Sequence, residues 1–141
     1  MFIERIKKDI KESSEVKNLI LNDEAIINLI DEIAKECIAS LEKGGKVIFC
    51  GNGGSFSDAQ HLSAEFTGKY AFDRDPLASI ALGTNNSSLS AIGNDYGFEN
   101  VFSRELEAIA KSEDILIGIT TSGNSKNIIN ALETAKSINI K

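Results

Sequence analysis

Three short apolar runs, each followed by a polar loop and then a helical pattern, constrain the fold of this chain most strongly. The runs are 47–50, 79–82 and 115–119, and the loops after them are rich in Gly, Asn, Ser or Thr. Strands that alternate with helices are typical of βαβ units, whose parallel strands are covered on both faces. The sequence therefore predicts an α/β fold with a parallel sheet that begins near Lys46.

The first 45 residues predict helices and no strand. A second helix begins at Asp23, a suitable N-cap residue, and ends at Gly44-Gly45. We expect residues 1–45 to serve packing or assembly, docking either on the domain at 46–141 or on another subunit. The wide apolar stripe of the second helix, which we expect to be covered on more than one side, consists of Ile26, Ile30, Ile33, Cys37 and Leu41, with Ile27, Ala34 and Ile38 beside it.

Composition excludes several classes of protein. The 15 basic and 21 acidic residues give a formal net charge of -6, whereas a duplex-binding protein needs a cationic surface. No apolar run approaches the roughly 20 residues that cross a bilayer, and the N-terminus lacks a signal-peptide core. We expect a cytoplasmic protein with no nucleic-acid or membrane partner, in which Cys37 and Cys50 are buried, reduced side chains.

The loop 51–55, with the sequence Gly-Asn-Gly-Gly-Ser, has the properties of an anion-binding turn. Its glycines permit close backbone approach, and Ser55 with Asp58 resembles a capping box for a helix over 56–68. Free N–H groups and the helix dipole favour an anion there. The loop lacks the Lys of a Walker motif, and Phe56 replaces the last Gly of a dinucleotide fingerprint. A simple tight turn is the alternative.

Four hydroxyl groups follow the third apolar run, on Thr120, Thr121, Ser122 and Ser125. Hydroxyls and backbone N–H groups suit a phosphate monoester that must be bound and then released. Ordinary N-capping needs only one hydroxyl. The loop therefore predicts a phosphate site, with capping as the alternative.

The single histidine, His61, stands four residues before Glu65, so both share one helix face. The pair is often only a surface contact. A carboxylate beside a bound sugar could also move a proton between carbons, and the pair could supply half of a four-ligand zinc site. The residues alone leave these alternatives open.

The order of these segments resembles the sugar isomerase (SIS) family along the whole chain. The resemblance implies a flavodoxin-like three-layer sandwich, preceded by helices and assembled as a homotetramer. It is closest to the heptose branch, whose members convert sedoheptulose 7-phosphate to D-glycero-D-manno-heptose 7-phosphate, the first step towards nucleotide-activated heptose for lipopolysaccharide or other surface polysaccharides. The matching segments are 51–55, 58–61 with Glu65, 91–98, 102–104 and 118–125.

Carried over residue by residue, the resemblance implies that Glu65 is the catalytic group that moves a proton between C1 and C2 through an enediol. It also implies one zinc ion per subunit, with His61 and Glu65 as two of its ligands. The substrate-binding positions that it implies are Asn52, Gly53, Gly54, Ser55, Glu65, Asn94, Asp95, Thr120, Thr121, Ser122 and Ser125.

The chain departs from the family pattern at two places. Thr120 stands where the family usually has Ser, which keeps the hydroxyl. The family also supplies a Gln and a His from a C-terminal helix, which complete the zinc shell and provide a general acid. Because this chain ends at Lys141 with three predicted strands, while sheets usually have about 4–6, we expect the natural domain to continue. We expect the 141 residues alone to be inactive or nearly so.

Three alternatives remain within the same family. They are a non-catalytic protein that associates with a replication initiator, an isomerase of another phosphosugar, and a sensor that binds a phosphosugar without turnover. Glu65 and the complete loop 51–55 favour the enzyme over the non-catalytic protein. The segment 93–97 favours the heptose branch over other phosphosugars.

Overall fold

The computed structural model describes residues 2–141, which form six α-helices and three β-strands. The predicted strands are confirmed to within one residue at each end. A single 3₁₀ turn at Phe98–Asn100 separates the fourth and fifth helices. In chain order the elements are α1 (Phe2–Leu21), α2 (Glu24–Glu42), β1 (Val47–Gly51), α3 (Gly54–Thr67), β2 (Ser79–Ala81), α4 (Asn86–Tyr96), α5 (Val101–Ile109), β3 (Ile115–Ile119) and α6 (Lys126–Ser137).

The chain divides into two compact units, the first of which extends to Glu36. Asp23 caps α2 as predicted, because its Oδ1 accepts hydrogen bonds from the backbone N–H groups of Ala25 (3.0 Å) and Ile26 (3.1 Å). No residue of α1 is buried within the part of the chain that is described. The predicted stripe of α2 is also exposed at Ile26, Ile30 and Ile33. The cover that we expected for this stripe is therefore not seen in residues 2–36.

No helix within residues 2–141 is both long enough and apolar enough to span a membrane.

The sheet of the second unit is parallel, with the strand order β2-β1-β3. Val47 of β1 is in register with Ser79 of β2 on one side and with Ile115 of β3 on the other. Every residue of the central strand β1 is buried. This order is that of the first three strands of a flavodoxin-like sheet, in which the crevice that binds ligands opens between β1 and β3.

Helices cover both faces of this sheet, as predicted. One face of β1 presents Ile48 and Cys50 to a cluster with side chains from α5 and α6, and the other presents Val47 and Phe49 to a cluster with α3. Burial of each large aliphatic side chain stabilises the fold by about 1.5–3 kcal/mol. Because α3 and α6 leave the sheet on opposite faces, their N-termini lie on the two sides of the crevice between β1 and β3. Cys50 is fully buried, whereas Cys37 is only half-buried.

An ion pair between Lys46 and Asp114 holds the amino edge of the sheet. Asp114 Oδ1 accepts from the backbone N–H of Lys46 (2.9 Å), and its Oδ2 accepts from Lys46 Nζ (2.5 Å) and from the N–H of Lys111 (2.8 Å). Lys46 Nζ also donates to the carbonyl of Ile109 at the end of α5 (3.0 Å). These bonds fix the starts of β1 and β3, whereas the loops at the opposite edge are left to bind ligands.

Candidate active site

The loop after β1 runs directly into α3, two residues earlier than predicted. Gly53 is the N-cap residue with φ +55°, and no side chain of residues 2–141 caps this helix. The predicted capping box of Ser55 and Asp58 was therefore wrong. The left-handed conformation of Gly53 turns the chain into the helix before Ser55 is reached. The N-terminal end of α3 thus carries its dipole without a side-chain acceptor, which favours an anion.

Glycine is required by close packing at one position of this loop but not at another. A Cβ atom at Gly51 would lie 2.3 Å from the carbonyl oxygen of Ser55, so the close packing of β1 against the start of α3 requires glycine. A Cβ atom at Gly54 would meet no atom of the described chain within 4 Å, and the φ of Gly54 is not in the left-handed region. The fold therefore gives no reason for glycine at position 54, and close approach of a ligand is a sufficient one.

The loop after β3 is folded by two of its own hydroxyl groups. Thr120 Oγ1 accepts from the N–H of Gly123 (3.2 Å), and Ser122 Oγ accepts from the N–H of Asn124 (3.2 Å). Ser125 is the N-cap residue of α6, yet within the described chain its side chain accepts none of the N–H groups of that helix. Ordinary capping therefore does not account for Ser125. Thr121 and Ser122 are exposed, so the loop presents hydroxyl groups to solvent at the start of α6.

The loops after β1 and β3 are joined by a pair of amides. Asn52 Nδ2 donates to Asn127 Oδ1 (2.8 Å), and Asn127 Nδ2 donates to Asn52 Oδ1 (2.9 Å). Asn127 lies in the first turn of α6 and is 3% exposed. Asn127 was not predicted as a site residue, since one polar residue at a helix start carries no signal of a partner 75 residues away.

His61 and Glu65 lie on one face of α3, as predicted. His61 Nε2 and Glu65 Oε1 are 3.0 Å apart, and the two side chains are 75% and 31% exposed. They follow the helix start by about two and three turns respectively. An imidazole nitrogen and a carboxylate oxygen at this separation fit two positions of a tetrahedral zinc shell. Residues 2–141 contain no group of three or more His, Cys, Asp or Glu side chains that could hold a metal ion, so this pair is at most part of a shell.

Asn94 and Asp95 lie in α4, and within residues 2–141 neither side chain is hydrogen-bonded to the loops after β1 and β3. They are exposed residues in the last turn of α4, and Asn94 Nδ2 donates to Asp95 Oδ1 (2.7 Å). Asn85, the N-cap of α4 at the carboxyl edge of the sheet, lies about two and a half turns away along the helix. Segments 91–98 and 102–104 of the family pattern are in contact, because the guanidinium of Arg104 lies 3.6 Å from the centre of the Tyr96 ring. The role of Asn94 and Asp95 stays a prediction.

A further carboxylate at this edge, Glu105 of α5, was also missed. It accepts a hydrogen bond from the N–H of Gly83 in the loop after β2 (2.7 Å). Burial raises the pKa of Glu105, and the hydrogen bond from Gly83, which favours the charged form, opposes that rise. The sequence gives little sign of this contact, because Glu105 stands in an amphipathic helix among other charged residues.

Comparison with known proteins identifies the family. Residues 13–141 match the SIS domain family. The chain belongs to the SIS domain family. A phosphoheptose isomerase from Sulfurimonas denitrificans is 55% identical over 131 residues, which are 93% of this chain and 67% of that protein. One from Aneurinibacillus thermoaerophilus is 50% identical over 93% of this chain and 66% of its own length. The chain thus spans about two thirds of the length of these relatives.

Solved structures of SIS domain proteins agree with the fold described above. The phosphoheptose isomerase from Neisseria gonorrhoeae has a TM-score of 0.90 and 39% identity, over 99% of this chain and 72% of that one. The phosphoheptose isomerase from Francisella tularensis has a TM-score of 0.93 and 36% identity, over 100% of this chain and 73% of that one. The predicted α/β fold and the predicted membership of the SIS family are both confirmed.

Proposed function

We propose that this SIS domain binds and isomerises a seven-carbon sugar phosphate, converting sedoheptulose 7-phosphate to D-glycero-D-manno-heptose 7-phosphate. The relatives named phosphoheptose isomerase support the reaction. The observation that carries the assignment of roles is the contact between His61 and Glu65, which places a carboxylate on an accessible face of α3. A buried structural ion pair would not leave His61 so exposed.

The phosphate group binds at the loop after β3. Thr120, Thr121, Ser122 and Ser125 supply hydroxyl donors, and the start of α6 adds the positive end of a helix dipole. The open space at Gly54 allows the sugar to approach the backbone of the loop after β1. Asn52, Gly53 and Ser55 of the same loop contact the sugar as well. Neutral donors bind a phosphate less tightly than arginine would, which suits release of the product.

Proton transfer belongs to Glu65. Its carboxylate removes a proton from C1 of the ketose, which gives an enediol, and delivers a proton to C2 after exchange with solvent, while the hydroxyl proton at O1 passes to O2. One carboxylate can serve both carbons because they are adjacent. The reacting carbons and the phosphate are at opposite ends of the substrate, which is consistent with a proton-transfer group that lies some turns along α3 from the loops.

Zinc is a proposed cofactor, at one ion per subunit. His61 Nε2 and Glu65 Oε1 would be two of its ligands, and when bound it would polarise the oxygens at C1 and C2 and stabilise negative charge on them. Residues 2–141 bring no third His, Cys, Asp or Glu side chain to this pair, so the described chain does not supply the other zinc ligands from these residue types. In the absence of the ion, the contact between His61 Nε2 and Glu65 Oε1 orients the carboxylate.

Assembly, location and pathway are part of the same proposal. The exposed isoleucines of α1 and α2 support a homotetramer, since apolar surface of this extent usually meets a partner. The buried thiol of Cys50 is consistent with the reducing cytoplasm. The product would then enter synthesis of nucleotide-activated heptose for lipopolysaccharide or another surface polysaccharide. Light scattering of the full-length gene product would test the tetramer, which a monomer at micromolar concentration would contradict.

The reaction is tested by proton NMR of sedoheptulose 7-phosphate with the full-length gene product and zinc in D2O. We expect an aldoheptose signal, with deuterium incorporated at the carbon that receives the proton. Glu65→Gln, which keeps the shape of the side chain, should abolish the signal, and a chelator should reduce it. Binding of the sugar phosphate without turnover by the unmodified protein would contradict the isomerase and favour a phosphosugar sensor.

A further inference from the structure

The amide pair of Asn52 and Asn127 lies at the point where the sheet topology opens the crevice. Asn52 directly follows β1, and Asn127 follows the hydroxyl loop after β3, so the pair crosses between the two strands that flank the switch point. The loops on either side are those assigned to the sugar and to its phosphate. A link at this position fixes the distance between the two parts of the site.

The two hydrogen bonds define the orientation of both side chains. Each amide offers two donor hydrogens and two acceptor lone pairs. The reciprocal contacts at 2.8 and 2.9 Å use one donor and one acceptor of each residue. The Asn52 amide plane is therefore fixed, while one N–H and one lone pair of Asn52 remain to meet a ligand.

Asn127 is buried at 3% exposure, whereas Asn52 is only half-buried. A ligand in the crevice can therefore reach Asn52 but not the Asn127 side chain. Asn127 is anchored by α6, and Ile128 beside it is in the hydrophobic core. Asn127 thus couples the loop that contains Asn52 to the start of α6.

We propose that Asn127 is a positioning residue, which holds Asn52 and the start of α6 in one arrangement so that both loops bind the same phosphosugar molecule. This inference rests on the proposed function, since it takes the two loops as parts of one substrate site. Asn127 acts through Asn52 and does not touch the substrate.

The test compares three variants of the full-length gene product: Asn127→Leu, Asn52→Ala and the double variant. Asn127→Leu keeps the approximate size of the side chain and adds no charge. Asn130→Leu is the matched control, because Asn130 is an asparagine of the same helix whose Nδ2 donates to the carbonyl of Glu99 and not to either loop. The measurements are kcat and KM for sedoheptulose 7-phosphate, the dissociation constant of inorganic phosphate, and the midpoint of urea unfolding.

We expect Asn127→Leu to raise KM and the phosphate dissociation constant about tenfold, as for the loss of two neutral hydrogen bonds. Asn130→Leu should leave both within about twofold of the unmodified protein, which is the scatter expected of a substitution outside the site. The double variant should be no worse than the more affected single variant, because both changes remove the same contact.

If Asn127 had a purely structural role, its replacement would lower the urea midpoint and the active fraction, and hence the apparent kcat. KM and the phosphate affinity would then be unchanged, and that result would overturn the inference. Fully additive effects of the two single substitutions would also overturn it. If the unmodified protein does not turn over the sugar phosphate, the proposed isomerase fails, and phosphate binding alone then decides. Equal phosphate affinity in Asn127→Leu and the unmodified protein, or no binding by either, would refute the positioning role.

Discussion

Replacement of Asp114 by alanine tests whether burial, rather than contact distance, determines the strength of an ion pair in this fold. The Asp114 side chain is 1% exposed and accepts from Lys46 Nζ and from the backbone N–H groups of Lys46 and Lys111. Asp114→Ala leaves two backbone donors and a largely buried ammonium without this acceptor. Loss of one partner of a buried pair costs about 3–5 kcal/mol, a large part of a typical stability of about 5–15 kcal/mol.

The assay is equilibrium unfolding in urea, for which such a loss lowers the midpoint by about 2 M at a usual slope of about 1–3 kcal/mol per molar. Asp31→Ala is the matched control. Asp31 contacts Lys35 at the same 2.5 Å that separates Asp114 from Lys46, but its side chain is 58% exposed. Exposed pairs of this kind contribute about 0.3–0.5 kcal/mol. Similar midpoints for the two variants, or a loss below about 1 kcal/mol for Asp114→Ala, would refute the reasoning.

Three further predictions follow from single side chains. Gly51→Ala should unfold the start of α3 or destabilise the protein by at least about 1–3 kcal/mol, the usual cost of overpacking, because its Cβ would overlap Ser55. Gly54→Ala should leave the urea midpoint unchanged and weaken only phosphosugar binding, and equal midpoints for the two variants would contradict this. Because burial raises the pKa of Glu105, the folded protein binds the proton of this carboxyl more tightly than the unfolded chain does. The free energy of unfolding gains from this at low pH, and the gain is lost as the pH rises through the folded-state pKa. Glu105→Gln, whose amide oxygen can still accept from Gly83, should therefore gain stability relative to the unmodified protein as the pH rises above the ordinary carboxyl pKa of about 4. A difference that is constant with pH would count against the burial of this carboxyl. Burial raises the pKa of the Cys50 thiol to about 12, so a thiol reagent should label Cys50 only after unfolding, and rapid labelling of the folded protein, located by mass spectrometry, would disprove that burial.

The strands could be predicted from the sequence because a buried parallel strand is a continuous apolar run, and β1 and β3 are such runs. The order β2-β1-β3 was not predicted from the pattern, since it depends on contacts between residues more than thirty positions apart. The start of α3 was predicted too late because a hydroxyl residue is the usual cap, whereas here Gly53 turns the chain with a positive φ. The apolar stripe of α2 was predicted from its helical spacing, but the sequence does not show which surface covers it.

Some residues of the candidate site could also be predicted from the sequence, and others could not. The carboxyl-edge loops were predicted because parallel topology places every strand–helix turn at one edge, and the spacing of His61 and Glu65 fixed their shared face. Asn127 and Glu105 were missed because their roles come from partners in distant loops, Asn52 and Gly83 respectively. Nothing in the local sequence distinguishes a polar residue with such a partner from a solvated one.

In the proposed site, the phosphate-binding loop and the proton-transfer group lie on different elements of the sheet's carboxyl side. The proposed phosphate site uses N–H groups and hydroxyls at the start of α6, at the carboxyl edge of the sheet. The proposed proton-transfer group, Glu65, lies on a face of α3 where its side chain is 31% exposed. Because α3 begins at the loop that contains Asn52, a shift of this loop would move Glu65 relative to the start of α6. The amide pair of Asn52 and Asn127 joins this loop to the start of α6, and its loss is therefore expected to affect substrate binding before it affects the stability of the fold.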